Sequence, residues 1–163
     1  MSKIGVYPGT FDPMTNGHLN IIKRSLKIVD TLIIGVADNL NKTPLLTIND
    51  RKDIILNDLK IENLENQNIK IYTVKGLLTD FAKSQNADCI IRGLRAVSDF
   101  EYEFQMTGMN YQLNPNVDTI FLMSSEKYSF ISSNFIKEVH KLGGDVSKFV
   151  SKNTIDILDK KNI

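Results

Sequence analysis

Five short runs of aliphatic and β-branched residues punctuate the chain, at Lys3–Tyr7, Thr31–Val36, Ile69–Val74, Asp88–Arg92 and Thr119–Met123. None alternates strictly between apolar and polar positions, which is the pattern of parallel strands covered on both faces. Between them the apolar spacing changes to three and four. Gly17 to Ile28 carries Leu19, Ile22 and Leu26, with Val29 beyond, on one helical face. Thr47 followed by Asp50 resembles a capping box ahead of Ile48, Arg51, Ile55 and Leu59. Phe100, Phe104 and Tyr111 repeat at helical spacing, although Phe100-Glu101-Tyr102-Glu103-Phe104 also alternates as a strand does. Ser132 through Phe135, Ile136, Val139 and Leu142 predicts a helix closed by Gly143-Gly144.

Strands and helices therefore alternate along the chain. Repeated right-handed crossovers of this kind give a parallel sheet wrapped by helices. The expected fold is a Rossmann-like three-layer α/β/α sandwich with a five-stranded parallel sheet. Residues 1–163 read as a single domain, with neither linker nor internal repeat. The more polar Lys148–Ile163 predicts a short terminal helix within a tail of about 146–163, packed on the body or on a neighbouring subunit.

Composition narrows the class. A length of 163 residues with 42% hydrophobic content suits one soluble globular domain. Twenty basic residues against nineteen acidic ones, a net charge of +1, argue against a nucleic-acid-coating surface but leave room for a local basic pocket. The strongest apolar stretch, Thr31 to Ala37, is too short to span a bilayer. The N-terminus has no signal-peptide pattern, so a cytoplasmic protein is expected. Cys89 is the lone cysteine, in an apolar run that predicts a buried, inert thiol.

The candidate chemistry gathers where the strands end. Ligands of open parallel sheets bind beyond the carboxyl ends of the strands, near the topological switch point. After the first strand comes Gly9-Thr10-Phe11-Asp12-Pro13-Met14-Thr15-Asn16-Gly17-His18. Such a turn opening a helix suits an anion, because helix-start N–H groups are unpaired and the dipole is positive there. His18 is placed to donate a hydrogen bond to a phosphoryl oxygen, in the neutral form that a helix start favours. Thr10 offers a hydroxyl and an amide. Lys42 follows the second strand as a mobile point charge, and Arg92 and Arg95 follow the fourth as planar forks for phosphate oxygens. After the third strand, Gly76 to Phe81 forms an apolar patch with little charge. Ser132 and Ser133 begin a helix and offer hydroxyl and N–H donors.

Absent motifs discriminate as well. The chain lacks the Walker loop, the dinucleotide Gly-x-Gly-x-x-Gly, the serine elbow and the zincin helix. With two histidines, a histidine metal cage is improbable. Phosphoryl or nucleotidyl transfer driven by positioning and charge stabilisation, without a covalent intermediate, remains.

Gly9-Thr10-Phe11-Asp12-Pro13, Thr15-x-Gly17-His18, Arg92-Gly93-Leu94-Arg95-Ala96, Asp99-Phe100-Glu101-Tyr102-Glu103 and Ile131-Ser132-Ser133 together resemble the bacterial phosphopantetheine adenylyltransferase family. This family belongs to the nucleotidyltransferase superfamily with a His-x-Gly-His signature, here in its threonine variant. The likeness runs from about Lys3 to about Val150. It implies transfer of an adenylyl group from ATP to 4′-phosphopantetheine with Mg²⁺, giving dephospho-coenzyme A and pyrophosphate, the penultimate step of coenzyme A synthesis. By the same resemblance His18 would stabilise the transition state, with Lys42 and Arg92 completing the catalytic set. Thr10, Lys42, Leu78 and Arg92 would hold the acceptor. Thr10, Phe11, His18, Gly93, Leu94, Arg95, Glu103, Tyr128, Ser129, Phe130, Ile131, Ser132, Ser133 and Asn134 would surround ATP. The resemblance also implies a homohexamer, built as a dimer of trimers, and inhibition by coenzyme A. Tyr128 and Tyr111 depart from the family pattern, standing where tryptophan and arginine are common.

Other readings stay open at the level of residues. Arg92 and Arg95 are equally suited to pairing with Asp99, Glu101 or Glu103, and His140 to placing favourable charge at a helix C-terminus. A related transferase using CTP or another acceptor would share the theme, as would a nucleotide-binding module without activity.

Overall fold

The computed structural model describes residues 2–38, 43–95 and 97–161. Strands β1 (Ile4–Gly9), β2 (Thr31–Ala37), β3 (Ile69–Val74), β4 (Cys89–Leu94) and β5 (Asp118–Met123) form one sheet in the order β3-β2-β1-β4-β5. Every pairing is parallel. Helices α1 (Asn16–Ser25), α2 (Ile48–Ile61), α3 (Leu78–Ser84), α4 (Val97–Leu113), α5 (Ser133–Lys141) and α6 (Lys152–Lys160) make the crossovers and the tail, with a 3₁₀ turn at Glu126–Tyr128. The Rossmann-like α/β architecture expected from the sequence is the one observed.

Both faces of β1 and β2 are covered, which explains their unbroken apolar runs, whereas the edge strand β3 alternates, with Lys70 and Tyr72 exposed. Leu32, Ile34 and Val36 of β2 point into a large core with Ile22, Ile54, Ile55 and Leu158, while Ile33 points the other way. There it joins Val6, Ile90, Ala82 and Val117 in a smaller core. Leu78 and Phe81 pack against this second cluster, so the apolar patch after β3 is the first turn of a helix and not a loop.

Two boundaries move for local reasons, and one ambiguity is resolved. Strand β1 runs on through Pro8, whose carbonyl faces the β4 side and accepts from Arg92; the N–H that proline lacks would lie on that same side. Helix α1 stops at Ser25, short of Ile28, because the Ser25 hydroxyl donates back to the Ile21 carbonyl at 2.7 Å and the following amides tighten to i→i−3 bonds. The Phe100–Phe104 ambiguity resolves as helix, inside α4.

The strand register positions the site. β1 and β2 stay paired up to Gly9 and Val36, whereas β1 and β4 share only Gly5↔Cys89 and Val6↔Ile90. Beyond Val6 the two central strands part. Since the strand order reverses direction between them, this split is the switch point of the sheet.

Candidate active site

A cavity of about 760 Å³ opens at that split. Its walls come from the end of β1 and the turn after it, from the end of β4 and the first turns of α4, and from the start of α5. Arg92 spans the gap between the central strands, its Nη1–H donating to the Pro8 carbonyl at 3.2 Å.

His18 lies on the first turn of α1 and lines the cavity. Thr15 is the N-cap, and the capping box is closed in an unusual way, by the imidazole in place of a carboxylate. The Thr15 backbone N–H donates to His18 Nδ1 at 3.1 Å, and the Thr15 hydroxyl lies 3.0 Å from the same nitrogen. An acceptor at Nδ1 puts the ring proton on Nε2. Burial, and secondarily the Arg95 charge, hold the histidine pKa at about 4, so the ring is neutral near pH 7. Phe11 supports the ring from below, with centroids 5.1 Å apart. The result is a neutral, oriented Nε2–H donor.

The cations of the cavity wall are paired. Arg92 meets Glu103 through two nitrogens, with Nε 2.7 Å from a carboxylate oxygen. Arg95 reaches Asp99 at 3.2 Å and also donates to the Ile131 carbonyl at 3.1 Å. Lys137 of α5 meets Asp12 at 2.7 Å. The pairing read from the sequence as an alternative role for the two arginines is thus present, and it leaves each guanidinium with further N–H groups for a ligand.

Asp12 was not singled out as a site residue from the sequence, nor was Lys137. Asp12 is buried and accepts from the Leu45 and Leu46 amides at 3.0 and 2.8 Å as well as from Lys137. It ties the turn after β1 to the segment before α2. Its place in the Gly-Thr-Phe-Asp-Pro run was visible, but its partners lie 33, 34 and 125 residues away. Lys137 falls one turn past Ser133 on α5, and that spacing is its one sequence signal.

Of the other residues expected at the site, Thr10, Phe11, Gly93, Glu103, Ile131, Ser132, Ser133 and Asn134 line the cavity together with the histidine and both arginines. Ser132 caps α5 by accepting from the Phe135 amide at 3.1 Å, and the Ser133 hydroxyl donates to the Pro13 carbonyl at 2.7 Å. The first closes the helix start locally, and the second ties it to the turn after β1. Leu94 is buried at the end of β4, and Leu78 packs on the smaller core; neither lines the cavity. Tyr128, Ser129 and Phe130 do not line it either; Tyr128 lies close to Gly17, and the Phe130 ring packs against Phe149. Lys42 lies outside the described residues.

No group of three or more metal-ligating side chains occurs among the described residues, and the cavity carboxylates Asp12, Asp99 and Glu103 are each joined to a cation.

Comparison with known proteins places the chain. A cytidylyltransferase-like family model matches residues 6–139. The phosphopantetheine adenylyltransferase of Wolbachia pipientis subsp. Culex pipiens is 57% identical over 93% of this chain and 89% of that protein. The chain belongs to the phosphopantetheine adenylyltransferase family. Another member, from Rhodospirillum centenum, is 52% identical over 91% of this chain and 81% of its own length. The fold extends further than this family. A putative nicotinate-nucleotide adenylyltransferase from Vibrio parahaemolyticus superposes with a TM-score of 0.71 at 18% identity, covering 99% of this chain and 95% of that one.

Proposed function

We propose that the chain transfers the adenylyl group of ATP to 4′-phosphopantetheine, forming dephospho-coenzyme A and pyrophosphate. A phosphate oxygen of the acceptor attacks the α-phosphorus in line. The bond from that phosphorus to the β-phosphate's bridging oxygen breaks, and pyrophosphate leaves with the electron pair. The observation that carries the reading is His18: a neutral donor, fixed by Thr15, on the wall of a cavity at the switch point. Such a donor is well matched to an α-phosphoryl oxygen that gains charge in the transition state. Since it is already oriented, it needs no reorganisation at the moment of reaction.

Arg92, with Lys42 and Thr10, holds the acceptor phosphate; the N–H groups of Arg92 beyond those bound by Glu103 and Pro8 are its share of that contact. Arg95, the Phe11 and Gly93 backbone and the start of α5, near Tyr128 to Asn134, serve ATP. Leu78 is the acceptor-arm contact suggested by the family resemblance. Mg²⁺ arrives with the triphosphate and offsets its charge, bound by phosphates and water. The reaction takes place in the cytoplasm, with coenzyme A as a feedback inhibitor.

A homohexamer is supported by α4. Tyr102, Phe104, Met109, Tyr111 and Leu113 are all exposed along it, more apolar surface than a lone helix face ordinarily leaves in water. No described helix is long and apolar enough to cross a membrane.

Pyrophosphate release with ATP against CTP, each offered 4′-phosphopantetheine, nicotinamide mononucleotide or an alcohol phosphate, tests the reading. Release with ATP and 4′-phosphopantetheine at least about a hundredfold faster than with any other pair is expected. A preference for CTP or for another acceptor overturns it.

A further inference from the structure

Among the described residues Arg51 is the largest fully buried side chain, 2% exposed, and it makes no direct ion pair. Its hydrogen bonds go to backbone carbonyls: Nε to Leu46 at 3.1 Å and, more weakly, Thr47 at 3.4 Å, Nη1 to Thr10 at 2.8 Å and Ala37 at 2.9 Å. Burial pushes the guanidinium pKa down, and the Asp12 and Asp38 carboxylates, acting through space, offset that cost only in part; an apolar side chain of similar length would fill the same volume without it. The bonds to four carbonyls from three separate segments point to a use beyond packing.

The Thr10 carbonyl indicates that use. Asp12-Pro13 is the one cis peptide of the described backbone, so the Thr10–Phe11 peptide is trans, with its C=O and N–H directed oppositely. The C=O is held on the buried side by Arg51, which sends the Phe11 N–H the other way. Thr10 and Phe11 both line the cavity, although the Phe11 side chain is 1% exposed, so the backbone is what this pair presents there. No described residue accepts from the Phe11 N–H. Phe11 also has φ of 51°, the left-handed region that a bulky residue adopts only when its surroundings impose it. Two of those surroundings are visible: the Arg51 bond on the preceding carbonyl and the burial of the ring between Tyr7 and His18.

We propose that Arg51 is a positioning residue for polyphosphate: by holding the Thr10 carbonyl on the buried side, it turns the Phe11 N–H into the cavity as a donor to a phosphate oxygen. The inference rests on the nucleotidyl-transfer reading above for its ligand. It adds a residue that touches neither substrate, sits on α2, and acts through one peptide.

The test uses inorganic tripolyphosphate and ATP as probes of binding, independent of any acceptor. In protein labelled with [¹⁵N]phenylalanine, saturating tripolyphosphate is expected to shift the Phe11 amide, assigned by its loss in Phe11→Leu. Arg51→Lys keeps the charge but cannot span the carbonyls, and Arg51→Met removes both. Calorimetry on variants shown by their melting curves to be folded is expected to give at least about tenfold weaker tripolyphosphate binding in both, the size of one charge-assisted hydrogen bond. A purely structural role would lower Tm and leave the dissociation constant of folded protein within twofold. That result, or a wild-type Phe11 amide unmoved at saturation, overturns the proposal. If both variants fail to fold, the wild-type amide decides. The reading of the reaction fails separately: wild-type protein that binds tripolyphosphate through Phe11 yet forms no dephospho-coenzyme A would refute the reaction and leave the role of Arg51 standing.

Discussion

Thr15 donates its backbone N–H to Nδ1 of His18 across 3.1 Å, and this one bond assigns the tautomer of the histidine proposed to drive the reaction. It also spends the imidazole lone pair that a proton would otherwise take. Replacing His18 with alanine removes the donor while leaving the phosphate-binding groups in place. Turnover is expected to fall by roughly 10²-fold or more with the ATP dissociation constant nearly unchanged, the mark of a contact made in the transition state. Equal losses in ATP binding and no loss in turnover would assign His18 to ground-state binding.

The same environment sets the pH behaviour. The folded pKa of about 4 lies below the ordinary 6.5, so between these values the unfolded chain binds the extra proton. The contribution of His18 to stability is therefore complete above about pH 6.5 and is lost as pH falls toward 4. An NMR titration of the ring should show a midpoint well below 6.5 in native protein, and turnover should not fall with His18 protonation between pH 6 and 8. A native midpoint at or above 6.5 contradicts the account of the donor.

Arg92 and Glu103 form a bidentate pair whose side chains are 28% and 13% exposed. Glu103→Ala leaves the Arg92 guanidinium half-buried and unopposed, and about 2 kcal/mol of stability is expected to go with it, measured by urea unfolding. Arg92→Ala should instead raise the acceptor KM, and more so at low salt, since the lost contact is ionic. An acceptor KM unchanged at every ionic strength would remove Arg92 from the acceptor site.

Much of this was legible beforehand, for reasons particular residues make plain. The strand ends and the Thr15-to-His18 cluster are local in sequence, and the parallel order follows from alternation alone, so the cavity's place at the switch point was predictable. What could not be read were the long-range partners. Asp12 joins amides of Leu45 and Leu46 and the ammonium of Lys137, and nothing in the spacing announces those contacts. Arg51 sat on the apolar face of α2 in the sequence pattern, where its burial was predictable, but its bonds to Thr10 and Ala37 depend on how two loops meet. Helical α3 shows the same limit, since Leu78 and Phe81 are drawn to the smaller core by residues of β1, β2 and β4.

Asp12→Asn would keep the shape of the side chain and remove its charge. One oxygen still accepts, but the amide group cannot serve both loop amides and the Lys137 ammonium. A loss of about 2 kcal/mol is expected from thermal or urea unfolding, because Asp12 is buried and three donors share it. A change below about 0.5 kcal/mol would mean that the loop before α2 holds without this clasp.

Assembly has its own readout. Phe104→Lys and Met109→Lys place charges on the two exposed apolar sides of α4, where both residues are more than 60% exposed in the isolated chain. Analytical ultracentrifugation is expected to show wild-type hexamers and smaller species for the variants. A monomeric wild type would withdraw the hexamer.

The most direct measurement incubates purified protein with ATP, Mg²⁺ and 4′-phosphopantetheine, beside His18→Ala, and quantifies products by mass spectrometry. The account predicts dephospho-coenzyme A and pyrophosphate in equal amounts, formed by wild type and suppressed roughly 10²-fold in the variant. Wild-type protein that binds ATP but yields no dephospho-coenzyme A, or a variant that forms it at the wild-type rate, would contradict it.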